Sequence, residues 1–588
     1  MKSYKYKVLT LGLSLAALAS CSDSFLDKVP DERTEIDSED KVIQLLVSAY
    51  PESNPAWIGE VSSDNLIDNQ APHLPSNPND KQVEAHYNYS SYAKWDDELF
   101  RFDPAENATY SAQDSPGALW GSYYGSVATV NQALAGIDRV CPDGNLSTKM
   151  KAAKGEALLI RAYDHFQLVS IFSKAYKNDE ASKNDIGIPY VTEIEDVVSK
   201  KYDRSNVADV YKKIGEDLEA GLALISDVNF TTAPKYHFNT NAAHAFAARY
   251  YLFKRDYQKV IEHANEVLGT DSTSFQRMVT DLSQFSGCSS LSDYANVWHD
   301  PNLAGNLLLV DTYSLMQRRL FGYRYSYAGP AASNALMIRS NHRSLWSSYI
   351  CPPISIVSGQ LFSSSSSDYG FFSSKIGEHF QYTDKVSGIG YPHQIYRAFT
   401  TNELILERAE AYTMLGNYEA AANDLRWYWN CQLNSMSADD YKQYVTGGYI
   451  SMMTNADFAT RGYYNPASGK INTNCYANWD FTQRMSADFV VPAAAVPYMN
   501  CINDFRRYET AFDGLRFYDL KRWGIDYTHV VGVSKEERQS NYDDAIRAVE
   551  VPWEALSGGM DSSRPKSTDD TKAAKASMNA SSFIVKTK

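Results

Sequence analysis

The chain has 588 residues, with 56 Lys and Arg against 71 Asp and Glu, a formal charge of −15. That balance excludes the dense basic face that a nucleic-acid backbone requires. A hydrophobic content of 44 % with 22 % charged residues suits a folded body and is too apolar for disorder. Length alone allows about three to four domains, but a repeat architecture can spread one domain over the whole chain.

At the start, Lys2, Lys5 and Lys7 precede an apolar run from Val8 to Ala19, the pattern of an export signal and too short to span a bilayer. The run closes in Leu18, Ala19, Ser20 and Cys21, which resembles the lipobox of bacterial lipoproteins. Residues 1–20 are therefore expected to be a signal peptide, and Cys21 the acylated first residue of a chain carrying 53 basic and 71 acidic groups, or −18. Two or more acyl chains hold a protein on a membrane at about 0.8 kcal/mol per buried methylene. No later run reaches the ~18 apolar residues of a membrane span. The other cysteines, 141, 288, 351, 431, 475 and 501, contain no CxxC pair. They fit neither a zinc site nor a dense disulfide framework, and their spacing leaves any pairing open.

Residues 21–40 read as a polar tether. From 52 to 116 the composition shifts to Asn, Pro, Ser and aromatic residues without a sustained period, which predicts long structured loops. Helical spacing then dominates residues 119–139, 149–172 and 206–226, the last with Val207, Val210, Ile214, Leu218, Leu222 and Ile225 on one face. Asn241–Lys254 and Asp256–Leu268 form a helix pair broken at Arg255, and Asn402–Leu415 with Asn417–Trp429 another broken at Gly416. The two pairs align: Ala248, Tyr251, Tyr257 and Ile261 match Ala409, Tyr412, Tyr418 and Ala422 at the same offsets. Small residues in the first helix and a Tyr opening the second are the logic of a tetratricopeptide unit. The fold class that follows is all-α dominated, a tetratricopeptide-repeat helical scaffold with long, loop-rich insertions and minor β structure. The repeat units fall within about 119–268 and 402–431, and the insertions at about 52–116, 270–400 and 432–500. Ser363–Ser367 is a run of five serines that reads as a loop, and Tyr323, Tyr325 and Tyr327 alternate as on one face of an extended segment.

Catalytic spacing is missing. The chain has no GxSxG, HExxH, phosphate loop, GxGxxG or EF-hand loop, and no His lies four residues from another. The reading is of a non-enzyme without cofactor or metal. What stands out is 42 Tyr, 24 Phe and 10 Trp. Flat rings with polar edges suit sugars, whose C–H faces stack while their hydroxyls bond to nearby Asn, Asp, Gln or Arg. Trp95 and Trp346 are the first candidate platforms, then Trp57, Trp298 and Tyr325, with Asp96 as a polar partner; Trp120 is assigned to packing.

Four segments resemble the SusD/RagB family of Bacteroidetes surface lipoproteins. They are LASC with SDSFLDKVPDERT after it, GEALLIRAYDHFQLVSIFSKAYKNDEASKNDIGIPY at 155–190, RSNVADVYKKIGEDLEAGLALI from Arg204, and RRYETAFDGLRFYDLKRW from Arg506 to Trp523. Within the last, Glu509, Phe512, Gly514, Arg516, Asp519, Leu520, Arg522 and Trp523 fit the family pattern, while Asp513 and Leu515, and Phe505 just before the segment, depart from it. Its alternating charges read as structural. The resemblance implies a single body over 21–588 whose C-terminal family segment is 501–556, lipid-anchored at the outer face of the outer membrane. It also implies a partner, a SusC-like TonB-dependent transporter, to which captured oligosaccharides are delivered. Two rival readings are a peptide-capturing member of the family and a surface glycoside hydrolase.

Overall fold

A computed structural model of the chain describes residues 36–71, 90–104, 112–195, 201–270, 290–320, 324–328, 356–360, 369–432, 464–465, 470–471 and 488–564, together with Phe285 and Cys288. Cys21, Trp346, Tyr323 and the serine run lie outside them. Three short helices come first: α1 (Glu39–Val47), α2 (Ala56–Val61) and α3 (Lys94–Phe100). The long helices α4 (Pro116–Val140) and α5 (Thr148–Phe172) follow, then α6 (Val207–Leu222), α7 (Thr240–Lys254) and α8 (Tyr257–Leu268). Sequence dictates where they begin. Ser115, Ser147, Asn206, Asn239 and Asp256 each accept a hydrogen bond from a first-turn N–H, and Pro116 occupies the first turn of α4, where its missing N–H costs nothing. On α6 the expected stripe of Val207, Val210, Ile214 and Leu218 is buried against α5.

Helix α5 is buried all round from Gly155 to Phe172. Its charged groups are held there by specific partners. Arg161 forks onto Asp217 of α6 at 2.7 and 2.8 Å, and Ser126 of α4 donates to Asp164. Helix α7 ends where Arg255 takes a left-handed φ of 62°, which turns the chain into α8.

A short helix α9 (Leu291–Trp298) precedes a region of β structure. Strand β1 (Ile67–Asp68) joins β3 (Tyr325–Ala328), β5 (Tyr369–Ser373) and β4 (Ile356–Gln360) in the order β1-β3-β5-β4. A second sheet has the order β2-β7-β6, from β2 (Asn306–Tyr313), β6 (Glu378–Asp384) and β7 (Ile389–Thr400), with helix α10 (Met316–Leu320) after β2. Helices α11 (Thr401–Met414) and α12 (Tyr418–Gln432) form the next pair, α11 ending just before Gly416 at φ 78°. Despite the intervening residues, α8 packs directly on α11, so the two pairs stack as consecutive units. Arg408 of α11 clamps this junction: it forks onto Asp424 of α12 at 2.8 and 2.9 Å and donates to Asn265 and to the Gly269 carbonyl at the end of α8. Ala248, Ala409 and Ala422, the small residues of the repeat pattern, are fully buried. The helix-dominated expectation holds.

The chain closes with the hairpin β8 (Tyr464–Asn465) and β9 (Lys470–Ile471), helices α13 (Val496–Glu509) and α14 (Leu515–Trp523), the hairpin β10 (Tyr527–Val531) and β11 (Glu536–Ser540), and α15 (Trp553–Ser557). Arg506, Arg516, Asp519 and Arg522 of the 506–523 segment are buried and paired inside the protein. Arg506 bonds Asp519, Arg522 bonds Glu410 and Asp519, and Arg516 bonds Asp64. Gly514, at φ 79°, lies against the backbone of Ala56, and Gly59 against the carbonyl of Gly514. This contact docks α14 on α2. Residues 51–69, expected to be ligand-side loops, are therefore core. They lack an apolar period because Glu60, Asp64, Asn65, Asp68 and Asn69 are themselves buried on partners distant in sequence.

Candidate functional site

The structure corrects the choice of aromatic platforms. Trp57, Trp95, Trp298, Tyr325 and Asp96 are only 1–3 % exposed. Three of them do come together, but inside the protein and around Arg319. Asp96 accepts from Trp57 Nε1 at 2.7 Å and from Arg319 at 2.9 Å, while the guanidinium lies 4.3 Å from the Trp95 ring. Burial pushes the Asp96 carboxyl up to about 6, against the pull of Arg319 and Trp57. Tyr325 stacks on Phe100 at 4.3 Å and donates to Asp97, and Trp298 packs on Phe285 with Arg397 4.4 Å from its ring. A ring enclosed on both faces presents none to a sugar. Trp346 lies outside the described residues.

Exposed rings are found instead where the second sheet leaves the scaffold. Strand β7 ends on Thr400, whose hydroxyl caps α11 by accepting from Glu403 N–H, so the strand is continuous with the repeat helices. Its twelve residues span about 40 Å at the usual rise of a strand. From Pro392 inward it is buried, and its outer end pairs with β6 as an exposed hairpin. Phe380 and Tyr382 share one face there, 43 and 50 % exposed, with ring centroids 4.9 Å apart. They flank Gly390 of β7, where a Cβ would sit 2.8 Å from the Phe380 ring. On the other face Tyr391, 49 % exposed, meets Tyr313 of β2 edge to face at 5.5 Å.

Tyr313 and Tyr391 form one wall of a cleft of about 650 Å³. The facing wall is α4, which offers Gly121, Ser122, Gly125 and Thr129, and Glu52 and Gln113 border it. Ser122 Oγ holds this rim by accepting from the Glu52 and Ser53 N–H groups at 2.7 and 3.0 Å, and the Glu52 carbonyl accepts from Tyr313 N–H at 2.7 Å. Burial, Glu52, Tyr391 and Asp311 push the Tyr313 phenol up, so it remains a neutral donor. Among the described residues neither the Tyr313 nor the Tyr391 hydroxyl donates to a protein acceptor. The size lies within the usual range for small-ligand sites. Rings along one side with hydroxyl, amide and carboxylate groups opposite can grip a flat, hydroxyl-rich molecule. The sequence did hold a clue to these rings: FQYTDKVSGIGYP alternates aromatics on either side of a Gly-containing turn, the pattern of a hairpin.

A protein-family model described as "Starch-binding associating with outer membrane" matches residues 24–252. The SusD-like protein P2 of Formosa agariphila is 27 % identical over 165 residues, 28 % of this chain and 29 % of that relative, so the match covers under a third of its length. A SusD superfamily protein from Bacteroides vulgatus overlays with a TM-score of 0.54 at 17 % identity, covering 90 % of this chain and 99 % of that one. A SusD-like carbohydrate binding protein from the same species overlays with a TM-score of 0.51 at 14 % identity, over 91 % and 99 % of the two chains. A SusD superfamily protein from Bacteroides fragilis gives 0.52 at 15 % identity, over 90 % and 99 %. Among the described residues no helix is long and apolar enough to cross a membrane. The overlays, which cover nine-tenths of the chain, show that this protein has the fold of the SusD superfamily structures, and its residues 24–252 match the family model.

Proposed function

We propose that the protein is a cell-surface lipoprotein, acylated at Cys21, that captures an oligosaccharide between the Tyr313 and Tyr391 rings and α4 and hands it unaltered to a TonB-dependent outer-membrane transporter. The observation that carries the ligand class is the pairing of the exposed Tyr391 and the half-buried Tyr313 with a polar cleft on a sheet braced by the repeat scaffold. The family description, starch-binding and outer-membrane associated, supports a glycan and a surface location. The LASC sequence supports the anchor.

Calorimetric titration with a panel of neutral and acidic oligosaccharides tests the reading. Tyr391→Ala should weaken binding of the best ligand at least tenfold, on the scale of one lost stacking contact. Equal affinity in that variant would remove the cleft from the site. Binding to cationic peptides and to no sugar would replace the ligand class, and release of reducing ends on incubation would make the protein a hydrolase.

A further inference from the structure

One cluster of chemistry on the sheet lies beside the cleft, outside the residues that line it. Asp311, His379 and His393 come one from each strand, β2, β6 and β7, and lie on one face. Register explains the convergence: His379 pairs directly with His393 across β6 and β7, while Asp311 lies opposite Ile395, two residues along the same face of β7. Asp311 Oδ1 is 3.0 Å from His393 Nδ1 and 3.5 Å from His379 Nε2, and one ligand atom of each residue lies within 4.8 Å of the other two.

We propose that Asp311, His379 and His393 bind a divalent transition-metal ion of the zinc class. Metal–nitrogen and metal–oxygen bonds of about 2.0–2.2 Å in a tetrahedron set neighbouring ligand atoms about 3.3 Å apart. The two shorter separations already match that spacing, and the third needs only a rotation of the exposed His379 ring. Imidazole donors select zinc, copper or nickel over calcium and magnesium, which call for more oxygen ligands than one carboxylate supplies. Entry is open, since the His379 and Asp311 side chains are 44 and 40 % exposed. His393 is the fixed member, buried in β7 with the Tyr313 ring 4.3 Å away. Three protein ligands leave a fourth position for water. The bound ion ties the exposed strand β6 to the two strands rooted in the scaffold, and it does so whatever occupies the cleft.

The test is titration of the chelator-treated full chain with ZnCl2 at pH 7.5, where imidazoles are free to ligate, read by calorimetry and by thermal unfolding. The expected result is one tight equivalent, a higher Tm with zinc, and no such shift with calcium or magnesium at the same concentration. His379→Gln, on the exposed strand, should fold with an unchanged metal-free Tm yet lose the zinc shift and at least tenfold in affinity. Asp311→Asn should do the same. Absence of a saturable equivalent at micromolar zinc, or His379→Gln binding as tightly as the parent chain, overturns the proposal.

Discussion

The Arg516 guanidinium forks onto the Asp64 carboxylate at 2.7 and 3.1 Å, with both side chains wholly enclosed. Its remaining arm donates to Asn503 Oδ1 at 2.6 Å. The contact pins the buried segment after α2 to the C-terminal helices. Removing one member leaves an uncompensated charge in the interior, so Asp64→Ala should cost about 3–5 kcal/mol in denaturant unfolding. The double variant Asp64→Leu, Arg516→Met should recover part of that loss. A single-variant cost below about 1 kcal/mol would contradict a structural part for the pair.

Gly514 and Gly416 both adopt positive φ, 79° and 78°, but only Gly514 is crowded: a Cβ there would lie 2.7 Å from Ala56 Cα, whereas Gly416 faces open space. Gly416→Ala should therefore lose only the left-handed penalty of about 1–2 kcal/mol. Gly514→Ala should lose clearly more, because α14 must also move off α2. Equal Tm shifts in the two variants would mean that the close approach contributes nothing.

His165 is held neutral inside α5, donating from Nδ1 to the Arg161 carbonyl and accepting the Val191 N–H on Nε2. Burial lowers it to about 4. Its contribution is complete above the unfolded value near 6.5 and is lost as pH falls toward 4, by up to about 3 kcal/mol. Glu60 and Asp96, raised by burial to about 7 and about 6, act in the opposite sense, since the folded chain protonates them first. The measurement is therefore a difference. The stability gap between the parent chain and His165→Gln should narrow between pH 7.5 and pH 4, and a constant gap would remove His165 as its source.

Trp95 was the leading platform on sequence grounds, and its burial beside Arg319 gives it another consequence. Trp95→Ala should cost about 3–5 kcal/mol of stability, the usual loss for an enclosed large ring. Tyr391→Ala, at an exposed position, should leave Tm within a degree or two while it weakens ligand binding. Exchange of these two phenotypes would return the ligand site to the region of Trp95.

The repeat helices were legible because local chemistry specifies them: the α6 stripe, the cap residues before each helix, and the breaks at Arg255 and Gly416 all lie within a few residues of what they control. The charged run of 506–523 was legible as structural for a related reason, since paired signs at short spacing predict mutual bonding, as between Arg506 and Asp519. Residues 51–69 were not, because Glu60 and Asp64 find their partners more than 250 residues away and leave no local period. The platforms were misassigned for the same cause: Arg319, which encloses Trp57, Trp95 and Asp96, comes from a helix more than 200 residues later. The rings on β6 and β7 became meaningful only once the strand register placed Tyr391 on the face of Tyr313. Of the cysteines, Cys141 and Cys288 are free thiols.

Because α8 meets α11 directly, the chain that departs after residue 268 returns to its point of departure at residue 401. Between these points Arg319 and Tyr327 reach back into the core at Asp96 and Glu60, whereas the turn that joins β6 to β7 projects into solvent. Arg408 ties departure and return together, so the projecting β6–β7 turn can be lengthened or reshuffled while the helix stack beneath keeps its geometry.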